Sequence, residues 1–452
     1  MESIQQIAEQ FIRETMAIDI TEGLTGALCK AGQLTGAFIC RVMEHKLTEI
    51  DEALFEAPSL RKSWVVEHKN VARELVTSHG LMRFSRRYYR NQKTKERRYL
   101  VDDLVGIEPY ERVETGLAAK LCESAVDHSY QKSAKLCCDS QVSRQTVMNK
   151  TRQVTGCALD PVKVRPDVPV IHIQADEDHV AMQDGRRDTI VKLVAIHEPA
   201  CKIGTKRWRL PQRHLLTSYN EAVEDFWLRV ADAIHERYGD HDDLQVYIHG
   251  DGAAWIKTGL TWIKNSRFVL DKYHFLKYLR PVVGGNEDYR QYILDELDGG
   301  SRLKIDHLVE AIVESDLCSR EAGEKFTSYM HGNWDGIQIW YDRKHQAGPS
   351  CAEGLVSHVL SSRLSSRPLG WRDAGLETIS RLRVHVLNGG RINPENLRKD
   401  RKPAVKATNK LRQRLSFDGY NESRVLYTDH RSSAQYRLFK AITSGGLALQ
   451  TT

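Results

Sequence analysis

The spacing of hydrophobic and polar positions changes along the chain and divides it into segments. Apolar residues recur at helical spacing through residues 1–75, which predicts a helical amino-terminal region. Residues 76–112 alternate around the polar run NQKTKE, which predicts a basic β-hairpin. Within 113–165 the pattern predicts two short helices around a tight turn, the arrangement of a helix-turn-helix DNA-binding region.

From residue 166 onwards the pattern alternates between strands and helices. Residues 166–279 combine strand-forming runs with amphipathic helices and are predicted to form the first part of an α/β core. Residues 280–345 are predominantly helical and interrupt that core. Residues 346–390 return to the core, and 391–452 form a basic carboxy-terminal tail. We therefore predict an α/β fold with a mixed sheet and a helical insertion, preceded by a mainly helical region that contains a hairpin.

Composition adds limits to this picture. The chain has 452 residues, of which 41% are hydrophobic and 28% charged, as in soluble globular proteins. A formal charge of +6 permits a nucleic-acid partner without requiring one. The nine cysteines contain no Cys-x-x-Cys pair, which argues against a zinc finger. No apolar run approaches the ~20 residues of a membrane span, so we expect a soluble cytoplasmic protein that does not enter a membrane.

Three acidic residues associated with strand ends or helix starts are candidates for chemistry. Asp176 and Asp251 each end a predicted strand, and Glu353 opens a predicted helix. Carboxylate oxygens suit Mg²⁺, and two such ions about 3.5–4 Å apart can activate an attacking hydroxyl and stabilise the leaving oxygen of a phosphodiester. The three acids are 75 and 102 residues apart in sequence (251 − 176 and 353 − 251), so only folding could bring them together.

Each of these acids also has a simpler interpretation. An Asp at a strand end commonly serves a turn, and Asp251 precedes a helix that it could cap. Ser350 and Glu353 have the spacing of a capping box. Asp178 shares a strand face with Asp176, so it is either a second ligand or a solvated acid, and we favour the solvated acid.

Four sequence blocks resemble the ISLre-type insertion-sequence transposases. They are ADEDHV at 175–180, HGDGAAWI at 249–256, LDKYHFLKYL at 270–279 and AEGLVSHVLSSRLSSRPLGW at 352–371. These enzymes are DDE transposases with a ribonuclease-H-like catalytic core, distantly similar to Mutator-type enzymes. The resemblance runs from about residue 70 to 390 and is most specific in GDGAAWIKTG.

The resemblance implies an acidic triad of Asp176, Asp251 and Glu353 that holds two Mg²⁺ ions, for which Mn²⁺ can substitute. It also implies a helical insertion between Asp251 and Glu353. His274 matches the Asp-x-x-His segment of the family, where it would contact the scissile phosphate or orient a ligand, although a packing role is equally open. The insertion contains rival glutamates, namely Glu310, Glu314, Glu321 and Glu324.

Basic residues with aromatic neighbours suggest contacts to DNA. Cations bind phosphates, and the first turn of a recognition helix contacts base edges. The candidates are Arg86, Arg87 and Arg90 of the hairpin and Arg144, Gln145, Asn149 and Lys150 of the second short helix. A basic segment in the tail could bind phosphates as well, and it comprises Arg398, Lys399, Arg401, Lys402, Lys406, Lys410, Arg412 and Arg414. The competing interpretation of such runs is a solvated surface.

Together these features predict a DNA transposase that binds terminal inverted repeats and target DNA, cleaves a strand and transfers it. The family-level expectation is a homodimer or higher oligomer in the synaptic complex, in the cytoplasm and associated with the nucleoid when bound. Two alternatives stay open: a structure-specific nuclease on the same fold, and a non-catalytic DNA-binding regulator with a degenerate core.

Overall fold

A computed structural model of the protein describes residues 3–21, 23–139, 141–186, 189–205, 207–239, 242–342, 347–367, 369–397 and 404–415. Its internal contacts divide the chain into two compact units. The first comprises residues up to 118, residues 135–142 and the tail from 398, and the second comprises 119–134 and 143–397. None of the helices in the described ranges is both long and apolar enough to cross a membrane.

The first unit combines a helical hairpin with a long β-hairpin. Its elements are α1 (Ile4–Met16), α2 (Leu24–Glu56), α3 (Pro58–Arg61), β1 (Trp64–Thr77), β2 (Gly80–Asn91), β3 (Arg97–Arg98) and α4 (Leu100–Val105). Helix α1 begins with a capping box between Ser3 and Gln6. Leu54, Trp64 and Tyr89 are buried in the core of this unit, which a tail helix, Asn409–Leu415, also contacts.

The β-hairpin begins earlier than the sequence pattern predicts. Residues 64–75, assigned to a helix above, form most of β1, which pairs antiparallel with β2 and turns between Thr77 and Gly80. The polar run 91–96 connects β2 to β3 instead. The β-branched valines of residues 64–77 favour a strand, and Gly80 adopts a φ of +134° at the turn. These local preferences outweigh the helical spacing of the apolar residues.

Three helices follow: α5 (Thr115–Asp127), α6 (Tyr130–Cys138) and α7 (Arg144–Gln153). The two short helices predicted around a polar turn are therefore present as α6 and α7. Helix α7 begins after Ser143, whose side chain accepts a hydrogen bond from the backbone N–H of Thr146. DNA recognition by this helix pair stays a prediction.

The second unit is built on a five-stranded mixed sheet. Its strands are β4 (Val170–Val180), β5 (Thr189–His197), β8 (His214–Ser218), β9 (Gln245–Gly250) and β10 (Ser266–Leu270), while β6 (Cys201–Gly204) and β7 (Arg207–Arg209) form a separate pair. The order across the sheet is β10-β9-β4-β5-β8. Strands β9 and β10 run parallel to β4, whereas β5 is antiparallel to β4 and β8 is antiparallel to β5. The predicted mixed α/β architecture is confirmed.

Helices cover both faces of this sheet. They are α8 (Val223–Tyr238), α9 (Ala254–Trp262), α10 (Lys272–Val283), α11 (Glu287–Asp298), α12 (Arg302–Glu314), α13 (Arg320–Gly332), α14 (Trp334–Gln338), α15 (Ala352–Val356), α16 (Ser362–Leu364) and α17 (Asp373–Leu387). A π-helical turn, Ser357–Ser361, joins α15 to α16. Most of residues 280–338, within the segment predicted to be helical, lies in helices α10 to α14.

Successive side chains of β4 point to opposite faces of the sheet, and each face packs into a different hydrophobic core. Ile171 and Ile173 face a cluster that includes α8, α9 and α10 and also the insertion helices, through residues such as Ile293, Ile305 and Phe326. The opposite face of the sheet packs against α15, the π turn and α17. Each fully buried aliphatic or aromatic side chain contributes about 1.5–3 kcal/mol. The helix that carries Glu353 is thereby fixed on the sheet face to which Asp176 belongs.

Candidate active site

One cavity of about 470 Å³ in the second unit collects acidic side chains from three separate segments of the chain. Asp176, Asp251, His274 and Glu353, the residues predicted to be catalytic, all line it. Lys277, Tyr278 and Tyr329 contribute to its wall.

Strand register brings the two aspartates together. Gln174 of β4 pairs with His249 of the parallel strand β9, so Asp176 lies two residues further along β4 and Asp251 lies directly after the end of β9. Neighbouring strands are about 4.8 Å apart, and residues two positions on point to the same face. The prediction that Asp176 ends its strand is wrong, because the antiparallel pairing of β4 with β5 continues to Val180.

Asp251 serves a tight turn rather than a helix cap. Its Oδ1 accepts a hydrogen bond from the N–H of Ala253 at 2.9 Å, and Ala253 itself is the residue that precedes α9. Gly252 adopts a φ of +94°, and a Cβ there would lie 2.3 Å from Oδ1 of Asn333. A glycine is therefore required beside Asp251.

Glu353 lies in the first turn of α15, with its side chain exposed towards the cavity. The capping-box interpretation is wrong, because the helix begins after Cys351 and has no side-chain cap. Oε1 of Gln174 on β4 instead accepts hydrogen bonds from the Cys351 N–H at 2.9 Å and the Ser350 hydroxyl at 3.5 Å. Gln174 thus ties the start of the glutamate helix to the strand that carries Asp176.

The π turn after α15 is held by a buried arginine. The Arg383 guanidinium donates to the carbonyls of His358 and Val359 and also to the carbonyl of Val126 at the end of α5. A π turn widens the helix and leaves carbonyls that need other donors. Arg383 supplies these donors and so stabilises the irregular helix that carries Glu353.

Asp178 is buried and hydrogen-bonded, contrary to the solvated role predicted for it. Its Oδ1 accepts hydrogen bonds from the hydroxyls of Ser361 at 2.9 Å and Ser365 at 2.8 Å. Burial raises the pKa of Asp178, and the two serine hydrogen bonds oppose that increase. The residue joins β4 to the glutamate helix, and the distant serines could not be identified as its partners from sequence spacing.

Asp176 carries the strongest electrostatic signal among the three predicted triad acids. It is 9% exposed, and burial raises its pKa to about 6. The carboxylates of Asp251 and Glu353 raise it further, while the Glu177 N–H at 2.8 Å and His274 act in the opposite direction. Both other acids are therefore close enough to Asp176 to raise its pKa.

His274 is held by a carboxylate on its own helix. Its Nδ1 lies 2.9 Å from Oδ2 of Asp271, the residue that caps α10 by accepting the Tyr273 N–H at 3.1 Å. This hydrogen bond raises the pKa of His274, and the nearby carboxylates of Asp251 and Asp176 add to the effect. The geometry favours a protonated imidazole that faces the cavity in a fixed orientation.

The chemistry of these donors fits a divalent cation. Hard carboxylate oxygens suit Mg²⁺. The pKa of Asp176 is raised mainly by burial and further by the carboxylates of Asp251 and Glu353, so a bound cation would stabilise its ionised form. No cluster of three or more His, Cys, Asp or Glu side chains in the described ranges is already gathered closely enough to hold a metal ion. Asp176, Asp251 and Glu353 are the residues that would hold the cation.

The rival glutamates lie elsewhere. Glu310, Glu314 and Glu324 line a different cavity of about 450 Å³, formed by α12 and α13. Glu321 pairs with Lys325 at 2.6 Å on the surface of α13. Of these candidate glutamates, Glu353 is the one that lines the cavity of the two aspartates.

Two of the predicted DNA contacts have internal roles in the first unit. Arg86 is 4% exposed, pairs with Asp102 at 2.8 Å and lies over the ring of Tyr99 at 3.6 Å. Arg87 pairs with Asp51 at 2.5 Å and with Glu52 at 2.9 Å. The prediction for Arg86 and Arg87 is corrected: their guanidinium groups stabilise the hairpin, because acids on α2 and α4 neutralise them.

The other predicted DNA contacts keep surface positions. Arg90 of the hairpin is exposed, as are Arg144, Gln145 and Asn149 of α7, whereas Lys150 is half-buried. Gln145 donates to Asn149 at 3.1 Å, so the two amides form one polar patch. In the tail, Arg398, Lys399, Arg401 and Lys402 and the side chains of Lys410 and Arg414 lie outside the described residues.

Comparison with known proteins gives the family. The sequence profile of UPF0236, described as an uncharacterised protein family, matches residues 24–401. The chain belongs to the UPF0236 family. Two similar UPF0236 proteins come from Caldanaerobacter subterraneus subsp. tengcongensis. One is 36% identical over 81% of this chain and 78% of its own length, and the other is 35% identical over 86% and 84%.

These UPF0236 relatives occur in several copies. The first bears four locus designations and the second eleven, all in the same organism. A third relative, also 36% identical over 81% of this chain and 74% of its own length, bears two more. The family is therefore repeated within one genome.

Proposed function

We propose that this UPF0236 chain is a DDE-type transposase that binds the ends of an insertion sequence and catalyses metal-dependent cleavage and transfer of DNA strands. The observation that carries the proposal is the convergence of Asp176, Asp251 and Glu353 on one cavity, together with His274. Asp251 and Glu353 both raise the pKa of Asp176, although long stretches of chain separate them from it. A packing role does not require three carboxylates to share a cavity.

The sheet topology supports a ribonuclease-H-like core. Three antiparallel strands, β4, β5 and β8, are followed along the chain by β9 and β10, which extend the sheet on the other side of β4 and run parallel to it. This order and these directions agree with a ribonuclease-H-like sheet. The first acid then belongs to the central strand and the second follows its parallel neighbour.

The repetition of the family within one genome points in the same direction. Proteins encoded by mobile elements accumulate in many copies because each transposition event can add one. The multiple loci of the relatives are what such an element would leave.

The residues of the cavity suggest a division of roles. Asp176, Asp251 and Glu353 would hold divalent cations, which neutralise the charge that develops on a phosphodiester and promote ionisation of the attacking hydroxyl. The protonated imidazole of His274, held by Asp271, would donate a hydrogen bond to a phosphate oxygen. The protein's contribution is then mainly positioning and charge stabilisation.

Substitution of the acids tests the proposal. Purified protein would be incubated with Mg²⁺ and a supercoiled plasmid that carries the DNA flanking the gene on both sides. We expect Asp176→Asn, Asp251→Asn and Glu353→Gln each to abolish nicking and joining while binding of the flanking DNA persists.

Glu324→Gln, which changes a glutamate of the other cavity, is the matched control and should retain activity. A Glu353→Gln protein that cleaves like the wild type would contradict the assignment. Cleavage without joining would identify a nuclease instead. A wild-type protein that neither cleaves DNA nor binds Mn²⁺ in a calorimetric titration would identify a non-catalytic regulator.

A further inference from the structure

One wall of the acidic cavity carries a cation and an aromatic ring rather than acids. Lys277 and Tyr278 follow His274 on α10 by three and four residues, so the three side chains lie on one helical face. All three line the cavity. The wall therefore presents groups that complement a ligand which is both anionic and planar.

Tyr278 is positioned as part of a fixed aromatic pair. Its ring stacks on that of Tyr329, with centroids 4.1 Å apart and an interplanar angle of 15°. The Tyr329 hydroxyl donates a hydrogen bond to the backbone carbonyl of Asp251 at 2.6 Å. Tyr278 nevertheless remains 39% exposed. The pair is thus tied directly to the turn that positions the second aspartate.

Lys277 gives this wall a positive charge beside the acids. Its side chain is exposed, and no ion pair to it occurs among the residues that the structure describes. An exposed ammonium group is a ready partner for a phosphate. The spacing to Tyr278 places this charge beside an aromatic surface on which a base can stack.

We propose that Lys277 and Tyr278 form a subsite for an unpaired nucleotide of the DNA strand that is cleaved, with the phosphate on Lys277 and the base on Tyr278. This assignment deepens the proposed function and rests on it. Bases of an intact duplex are stacked on their neighbours and cannot offer a face to Tyr278. The subsite therefore selects a locally opened strand at the position of cleavage.

Binding without metal isolates the subsite from catalysis. The full-length protein would be titrated, in EDTA, into a short fluorescein-labelled single-stranded oligonucleotide and into its duplex, with fluorescence anisotropy as the readout. Loss of one stacked base should make Tyr278→Ala bind the single strand about 5- to 150-fold more weakly, with little change for the duplex. Tyr278→Phe keeps the ring and should bind like the wild type.

Lys277 gives an independent measurement. Lys277→Gln should reduce the slope of log affinity against log salt concentration for the single strand by about 0.7, the value for one lost phosphate contact. Tyr292→Ala, at a tyrosine that is 42% exposed on α11, and Lys304→Gln on α12 are the matched controls, and both should bind like the wild type.

The outcomes separate this subsite from the proposed function. Tyr278→Ala binding the single strand as tightly as the wild type, or weakening single strand and duplex equally, would overturn the subsite even if the wild type cleaves DNA. If the salt dependence of single-strand binding were unchanged in Lys277→Gln, the proposed contact between Lys277 and a phosphate would be refuted. Both variants could lose single-strand binding selectively while the wild type fails to cleave DNA with Mg²⁺. That result would support the subsite and refute the transposase proposal.

Discussion

Replacing Asp176 by Asn should stabilise the metal-free protein, because the ionised Asp176 carboxylate is less stable in the native fold than in the unfolded chain. The pKa of Asp176 rises from 3.8 to about 6 through burial and the neighbouring carboxylates of Asp251 and Glu353. Each pKa unit corresponds to about 1.4 kcal/mol, so ionised Asp176 lowers the free energy of unfolding by about 3 kcal/mol. Asn preserves the shape and can still accept the hydrogen bond from the N–H of Glu177.

The pH dependence of this difference follows from the two pKa values. Below the unfolded value of about 4, Asp176 is protonated in both states and the substitution should change little. As pH rises from about 4 to 6 the unfolded chain ionises first, so the wild type loses stability relative to the variant. Above pH 6 the full difference of about 3 kcal/mol should be present, in favour of Asp176→Asn.

Urea unfolding followed by tryptophan fluorescence would measure this difference. Seven of the eight tryptophans lie in the second unit, so the signal reports mainly on the part of the chain that contains Asp176. Curves for wild type and variant in EDTA would be compared at pH 7.5 and near pH 4. Asp232→Asn, at an exposed acid of α8, is the control and should stay within about 0.5 kcal/mol of the wild type.

Added Mg²⁺ provides a second arm of the experiment. A ligand that binds the native state raises the free energy of unfolding, so Mg²⁺ should stabilise the wild type and have less effect on Asp176→Asn. The reasoning would be refuted if Asp176→Asn were no more stable than the wild type at pH 7.5 in EDTA. A gain that is independent of pH would also refute it, because the gain would then not arise from ionisation.

Three further substitutions test the frame around the acids. Gly252→Ala places a side chain at a φ of +94° and against Asn333, and we expect the free energy of unfolding to fall by about 1–3 kcal/mol and DNA cleavage to be impaired. Asp271→Asn keeps the cap of α10 but lowers the raised pKa of His274, so any DNA affinity that depends on the protonated imidazole should be lost at a lower pH than in the wild type. Arg383→Leu removes the guanidinium donors to the carbonyls of His358 and Val359 in the π turn, and urea unfolding should show a loss of about 2–4 kcal/mol.

Two of these expectations have a matched control variant, and the third has a decisive readout. Gly354→Ala, at an exposed glycine whose added Cβ would meet no atom within 4 Å, should be nearly neutral beside Gly252→Ala. Arg381→Leu changes an exposed arginine on the same helix as Arg383 and should cost much less. An unchanged pH dependence of DNA binding in Asp271→Asn would show that His274 does not act through its charge.

The order of strands and helices in the second unit could be predicted because amphipathic spacing and tertiary burial agree there. In the first unit they conflict, and residues 64–75 form a strand despite apolar spacing that suits a helix. Local β-branched residues and the turn at Gly80 decide the outcome. The spacing of apolar residues alone does not show whether helical periodicity or local β-propensity will determine the structure of such a segment.

The candidate site could be predicted as residues but not as geometry. Alternation placed Asp176 and Asp178 on one face, yet the serines that bind Asp178 lie 183 and 187 residues further along the chain. Gln174, which holds the start of the glutamate helix, has no distinguishing sequence pattern. Arg86 and Arg87 show the converse error, since a basic run does not reveal the acids that neutralise it.

The helices between Asp251 and Glu353 interrupt the core in sequence, but they belong to the same hydrophobic core as the sheet. Their side chains, including Ile293, Phe326 and Met330, complete the same buried cluster as Ile173 of the central strand. Excising them would leave one side of the sheet open to water, so this segment cannot behave as a detachable module. Sheet and insertion should lose their amide-exchange protection together, as one cooperative folding unit.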